Sequence, residues 1–154
     1  MAHRVLRAKD AFWRESNQMR VLNTDLGGQL EAGDLGARFW RLRPGQASTK
    51  HRHPRQEELY VLIEGRGRIR VDDEVLDLAP LDALLVTPDS LRQIFNDTDS
   101  DALWLVVGAP REVVSSTLEM SEEMLRSFYP EGPRVLPPEL GGGEFRPSPA
   151  TEPE

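Results

Sequence analysis

Between residues 37 and 108 the chain breaks into short β-prone runs, each closed by Gly, Pro or Asp. The runs are 37–43 (ARFWRLR), 58–64 (ELYVLIE), 68–71 (RIRV), 74–78 (EVLDL), 82–87 (DALLVT), 91–96 (LRQIFN) and 102–107 (ALWLVV). Pro44-Gly45, Gly65-Arg66-Gly67, Asp72-Asp73, Pro88-Asp89, the Asp-rich stretch 97–101 and Gly108 stand at their ends. Glycine and aspartate adopt the backbone conformations of tight turns, and proline withholds a ladder donor, so these residues end strands. Strands of about five residues at roughly 8–12-residue spacing leave no room for crossover helices and predict an all-β sandwich or barrel.

The two ends read differently. Residues 115–128 are the best helix candidate. Ser121 followed by Glu122 and Glu123 resembles a helix start, and Met124, Leu125 and Phe128 recur at helical spacing. The expectation is a short amphipathic helix packed on the barrel. Past Tyr129 lie seven of the twelve prolines and Gly141-Gly142-Gly143. This composition buries little apolar surface and predicts a disordered tail from 141 to 154. The expected organisation is an N-terminal arm with the first strands over 1–34, a barrel core over 35–109, a helix and Pro-rich segment packing on it over 110–140, and the tail.

Length and composition narrow the function. A chain of 154 residues suits one domain with its own core. Without cysteine, disulfides, thiolate metal sites and cysteine nucleophiles are excluded. The net charge is -7. An acidic chain without a basic run lacks the clustered cations that phosphate contacts need, so no nucleic acid is expected as a partner. No stretch approaches the roughly 18 apolar residues of a membrane helix, and no apolar N-terminal run suggests a signal peptide. A cytoplasmic protein with no membrane partner is the expectation.

Two of the three histidines, His51 and His53, are two residues apart. On an extended segment that spacing puts both imidazoles on one face, and Pro54 biases His53 towards an extended conformation. A carboxylate follows at Glu57 or Glu58. Two imidazoles and a carboxylate converging with positions left open form the facial triad that holds a divalent metal. Along the following strand, Glu57, Leu59, Val61 and Ile63 share one face, while Glu58, Tyr60, Leu62 and Glu64 share the other. Period-two reasoning puts the more apolar set inward and favours Glu57.

The run PGQASTKHRHPRQEELYVLIEGRGRI, with Gly45, His51, His53, Glu58 and Gly65 in register, resembles the first motif of the cupin superfamily. A looser likeness to the second motif spans 81–96 (LDALLVTPDSLRQIFN), and together they cover roughly residues 35–109. The resemblance implies a double-stranded β-helix, or jelly-roll, barrel. It implies that His51, His53 and Glu58 point inward and bind a metal (Fe, Mn, Ni or Zn), and that the protein is a homodimer. Its spacing to Gly65 favours Glu58 over Glu57, which then sits at the rim.

The second motif departs from the family pattern. Leu81, Thr87-Pro88-Asp89, Arg92 and Asn96 stand where the family has Gly, Pro-x-Gly, a fourth metal ligand and Asn. A guanidinium offers no lone pair, so Arg92 cannot coordinate a metal. Either three ligands remain, holding the metal more weakly in an opener site, or the metal is absent and Arg92 pairs with Glu58. Arg92 and Tyr60 are the expected substrate-binding residues, with Arg92 orienting an anionic group. The expected function is a metal-binding cupin acting on a small organic molecule; an enzyme would be of dioxygenase, isomerase or lyase type. The alternative is a non-catalytic small-molecule binding or sensing module with a degraded metal site.

Overall fold

The structure is a computed structural model that describes residues 2–112 and 120–148. Nine strands run through it: β1 (Trp13–Glu15), β2 (Leu22–Asp25), β3 (Gly36–Leu42), β4 (Glu57–Glu64), β5 (Gly67–Val71), β6 (Glu74–Leu78), β7 (Ala83–Val86), β8 (Arg92–Phe95) and β9 (Ala102–Ala109). Two helices accompany them, α1 (Leu26–Gln29) and α2 (Glu122–Phe128). Each of the seven runs expected from the sequence is a strand, with ends displaced by two residues at most.

The strands form two antiparallel sheets, one ordered β1-β2-β3-β9-β4-β7 and one ordered β6-β5-β8. Buried side chains from both meet in one core. Leu42, Leu62, Val86 and Trp104 come from the larger sheet, and Ile69, Leu78, Ile94 and Phe95 from the smaller. The result is the jelly-roll barrel expected of this strand pattern. Two glycines have local reasons. Gly65, closing the β4–β5 turn, has φ +84°, and a Cβ there would lie 2.3 Å from the Asp101 carbonyl oxygen. Gly108 on β9 lets the Gln56 side chain cross it, where a Cβ would lie 2.5 Å from the Gln56 amide carbon.

Strand β4 decides which glutamate enters the barrel. Glu58, Tyr60 and Leu62 are buried, while Glu57 and Leu59 face outward and are exposed. Glu58 therefore points in and Glu57 sits on the outside. The more apolar face of β4 is the outer one, continuous with Leu85 of β7 and the half-buried Leu105 and Val107 of β9 through the pairs Leu59–Leu85, Leu59–Val107 and Val61–Leu105.

Towards the C-terminus, α2 begins where expected. The Ser121 side chain caps it by accepting from the Met124 N–H, and Phe128 is its buried residue. The earlier part of the expected helix, 115–119, lies outside the described residues. Of the tail expected over 141–154, residues 149–154 lie outside the described residues, while 141–148 are held by the fold. The chain turns at Gly141, Gly142 and Gly143, all at positive φ, and pairs back on itself. Leu136 N–H donates to the Gly143 carbonyl and Phe145 N–H to the Arg134 carbonyl, and Leu136, Leu140 and Phe145 pack against the barrel core. Three glycines permit this reversal, which an apolar anchor beyond them makes worthwhile. Among the described residues no helix is long and apolar enough to cross a membrane.

Candidate metal centre

His51 and His53 lie on the extended segment leading to β4. That segment is held against the start of β8 by reciprocal backbone bonds between His51 and Arg92, and by His53 N–H donating to the Pro88 carbonyl at 2.9 Å. The two rings meet edge to face with centroids 5.0 Å apart. Phe128 of α2 closes the back of His53, edge to face at 5.7 Å. Arg52 pins α2 there, its N–H donating to the Phe128 carbonyl and its Nε to the Ser127 carbonyl.

Each imidazole is oriented by an acceptor at Nδ1. His51 Nδ1–H donates to the Thr49 carbonyl at 3.1 Å, and His53 Nδ1–H donates to Glu112 Oε2 at 2.9 Å. A proton held at Nδ1 leaves the Nε2 lone pair free for a Lewis acid. Both Nε2 atoms lie close to Glu58 Oε1, at 3.3 Å from His51 and 3.2 Å from His53. His53 Nε2 is buried and has no hydrogen-bond partner despite that closeness, because direction as well as distance decides a hydrogen bond.

A divalent ion fits this donor set. Ligand atoms from His51, His53 and Glu58 all lie within 4.8 Å of one another. Two ligand atoms each about 2.1 Å from one ion, at 90–110° to each other, are about 3.0–3.4 Å apart, which matches the separations between each Nε2 and Glu58 Oε1. A buried imidazole nitrogen with no hydrogen-bond partner has an unused lone pair, and a metal accepts it. His3, the remaining histidine, is exposed and outside the cluster.

The carboxylate is also held from the protein side. The Tyr60 hydroxyl donates to Glu58 Oε1 at 2.9 Å, and Arg92 Nε approaches the same oxygen to 3.7 Å. Burial alone would push the Glu58 pKa up, but the neighbouring His51 and His53 imidazoles outweigh it and hold the carboxyl well below the ordinary value. Tyr60 is driven the opposite way: burial, then the neighbouring Glu58 charge, raise its pKa well above the usual value, with Arg92 opposing.

Arg92 stands beside the triad and off the cavity wall. Its side chain has no exposed surface. Its Nη2 donates to the Thr87 carbonyl at 2.7 Å and the Val86 carbonyl at 3.4 Å, and Nη1 donates to the Pro88 carbonyl at 3.4 Å. The expectation that Arg92 reaches a substrate is corrected on this ground: the β7–β8 connection binds its guanidinium through backbone oxygens and leaves only Nε facing Glu58. Tyr60 does line the cavity, with His51, His53 and Glu58.

The cavity opens from the triad to the mouth of the barrel, with a volume of about 660 Å³. Trp40 and Phe12 line it, as do Arg14, Arg38 and Arg111. Glu112 was not legible from spacing. It follows β9, 59 residues after His53, and its Oε1 accepts from the N–H groups of Arg55 and Gln56, both at 2.7 Å. A carboxylate just past the last barrel strand was the only available signal.

Comparison with known proteins agrees with the geometry. Residues 38–108 match the family model of the cupin domain. "Polyketide synthase CurC" of Streptomyces cyaneus is 27% identical over 89 residues, which is 58% of this chain and 56% of that protein, so little more than half of the relative is matched. Among solved structures, a sugar phosphate isomerase of the cupin superfamily from Silicibacter pomeroyi superposes with TM-score 0.63 at 24% identity, over 70% of this chain and 76% of that one. A Thermotoga maritima protein described as a predicted oxalate decarboxylase superposes with TM-score 0.62 at 19% identity, over 70% of this chain and all of that one. At these identities the two structures speak for the fold.

Proposed function

Since residues 38–108 match the cupin-domain model and the fold is that of cupins, we propose that this chain is a metal-binding cupin acting on a small organic molecule held in the barrel cavity. One observation carries the reading: both imidazoles have Nδ1 tied to an acceptor and Nε2 close to the buried Glu58 carboxylate. His51, His53 and Glu58 would hold Fe, Mn, Ni or Zn. When bound, the metal supplies Lewis-acid or redox chemistry at a site with open positions. The chain's own residues do the rest. Thr49 and Glu112 keep the imidazoles in the ligating tautomer. Tyr60, held neutral, keeps its proton on the bond to Glu58 and presents its ring to the cavity. Phe128 and α2 exclude water from behind His53. The names carried by the relatives, polyketide synthase and sugar phosphate isomerase, suit small oxygenated organic molecules as the substrate class.

A second reading has its own support. Arg92 puts a permanent, fully buried cation 3.7 Å from Glu58. That charge compensates the carboxylate without a metal, and the barrel would then serve as a binding or sensing module. Elemental analysis of protein purified without a His-tag or chelator separates the two. One equivalent of a transition metal per chain supports the metal-dependent reading, and metal-free protein that still binds small molecules supports the other.

We also propose a cytoplasmic homodimer in which the apolar outer face around Leu59 and Leu85, 37% and 55% exposed, is covered by a second copy. Light scattering coupled to size exclusion tests the dimer: a monomeric mass at micromolar concentration overturns it.

A further inference from the structure

Three arginines, Arg14, Arg38 and Arg111, line the cavity, although the chain as a whole carries a net charge of -7. The acids and bases that line the cavity are segregated. Glu58 is engaged by His51, His53 and Tyr60, and Glu112 by His53 and two backbone N–H groups. The remaining lining carboxylate, Asp25, pairs with Arg38, and Arg14 and Arg111 lie within electrostatic reach of the same guanidinium. Three positive charges against one leave an excess of two around Arg38.

Arg38 is the most organised of the three. It lies on β3 with its side chain into the barrel, donating from Nη1 to Asn23 Oδ1 at 2.9 Å and from Nη2 to Asp25 Oδ2 at 3.1 Å. Asn23 is buried, and Asp25 is fixed in turn as the cap of α1, its Oδ1 accepting from the Gly28 N–H. The guanidinium is therefore locked in one orientation. It has five N–H groups, and among the described residues two are engaged, so donors remain for an incoming oxyanion. Burial lowers the Arg38 pKa, Asp25 raises it, and the charges of Arg14 and Arg111 lower it, which places those two cations within electrostatic reach. Arg111 is anchored through Nη1 to the Ala32 carbonyl, and Arg14 through Nη2 to Asn17 Oδ1.

Trp40 stands two residues along β3 from Arg38 and so on the same strand face, and it too lines the cavity. An indole beside a fixed guanidinium recognises a flat ring bearing a carboxylate: the ring packs on the aromatic surface and the two oxygens meet the guanidinium edge. We infer that Arg38, assisted by Arg14 and Arg111, is the anion-recognition site of the cavity, and that the ligand class is a planar unsaturated or aromatic acid whose carboxylate sits on Arg38 while its ring lies against Trp40 towards the histidines. This deepens the proposed function and rests on that reading for what happens at the histidine end. Recognition at Arg38 itself needs no metal.

The test uses the full chain stripped of metal by a chelator and then dialysed, with 1-naphthoate as probe and 1-naphthamide as its neutral counterpart, both titrated by calorimetry. Metal-free protein removes direct coordination of the carboxylate as an explanation. The expected result is naphthoate binding at least tenfold tighter than naphthamide. Arg38→Met should abolish that preference, and Arg14→Met should reduce it several-fold. Arg38→Met also removes partners of Asn23 and Asp25; should it fail to fold, Arg38→Lys and Arg14→Met carry the test, each expected to narrow the preference. His51→Ala/His53→Ala should retain the preference. Equal affinity for the two probes, no binding of naphthoate by the wild type, or a preference unchanged in the folded Arg38 and Arg14 variants overturns the inference. A chain that binds naphthoate as described but takes up no Zn(II) leaves the anion site standing and removes the metal reading alone.

Discussion

The 2.9 Å bond from His53 Nδ1 to Glu112 Oε2 ties a metal-ligand candidate on the loop before β4 to a carboxylate beyond the end of β9. The other oxygen of Glu112 already accepts from Arg55 and Gln56 N–H, so the carboxylate cannot rotate away. It fixes both the ring plane and the tautomer of His53, and outer partners of this kind typically account for 10–100-fold in metal affinity.

Glu112→Gln therefore makes a sharp test. The Gln oxygen must stay on the two backbone donors, which turns its NH₂ towards His53 Nδ1. The His53 proton is then driven to Nε2, where it blocks coordination. Affinity for Zn(II) should fall by at least tenfold in Glu112→Gln, and by no less than in Glu112→Ala. Calorimetric titration of the two variants checks this; wild-type affinity in Glu112→Gln would mean that Glu112 does not set the tautomer.

Arg92→His adds a ligand and removes a cation 3.7 Å from Glu58. Zn(II) should bind at least tenfold more tightly, about 1.4 kcal/mol. The same change strips donors from the Val86, Thr87 and Pro88 carbonyls, so the metal-free variant should lose about 1–3 kcal/mol of stability. Denaturant melts with and without metal separate the two effects.

Both tyrosines of the chain, Tyr60 and Tyr129, have pKa values raised above the usual 10.0, chiefly by burial; Tyr129 is opposed by a bond with Thr49. A group whose folded pKa is raised contributes stability that is fully present below its unfolded value and lost as pH rises through the folded one. Absorbance at about 295 nm should stay flat through pH 10, the ordinary tyrosine range, with stability declining only above it. A full two-tyrosine absorbance step centred at pH 10 in folded protein would show that neither ring is buried as described.

Phe145 is the anchor of the C-terminal turn. Phe145→Ala should destabilise by about 1–2 kcal/mol, less than a fully buried phenylalanine because its ring is only partly covered. An unchanged melting temperature would detach the segment from the core.

These residues also mark how far the sequence could be read. Strand positions were legible because turn residues punctuate them, and the pair His51 and His53 because two-residue spacing on extended chain needs no tertiary knowledge. Glu57 against Glu58 was not decidable by period two: the outer face of β4 is as apolar as a core face, so hydrophobicity misdirects there and the family spacing corrects it. The approach of Arg92 to Glu58 is one of the two directions the sequence offers, whereas its backbone-carbonyl partners are beyond any side-chain pattern. Glu112 was invisible for a similar reason, since its contacts span 56 to 59 residues. The seven prolines past Tyr129 suggested disorder, and composition could not show that Phe145 returns to the barrel.

The central claim is that His51, His53 and Glu58 together hold one divalent metal ion, and titration of Zn(II) into chelator-stripped protein measures it. The wild type should take up one equivalent per chain, and at a hundredfold excess over Kd the ion should stabilise the fold by roughly 2.7 kcal/mol. His51→Ala/His53→Ala should fold and show neither uptake nor stabilisation. A wild type that binds no ion, or a double variant that keeps the same stoichiometry and melting shift, would contradict the account.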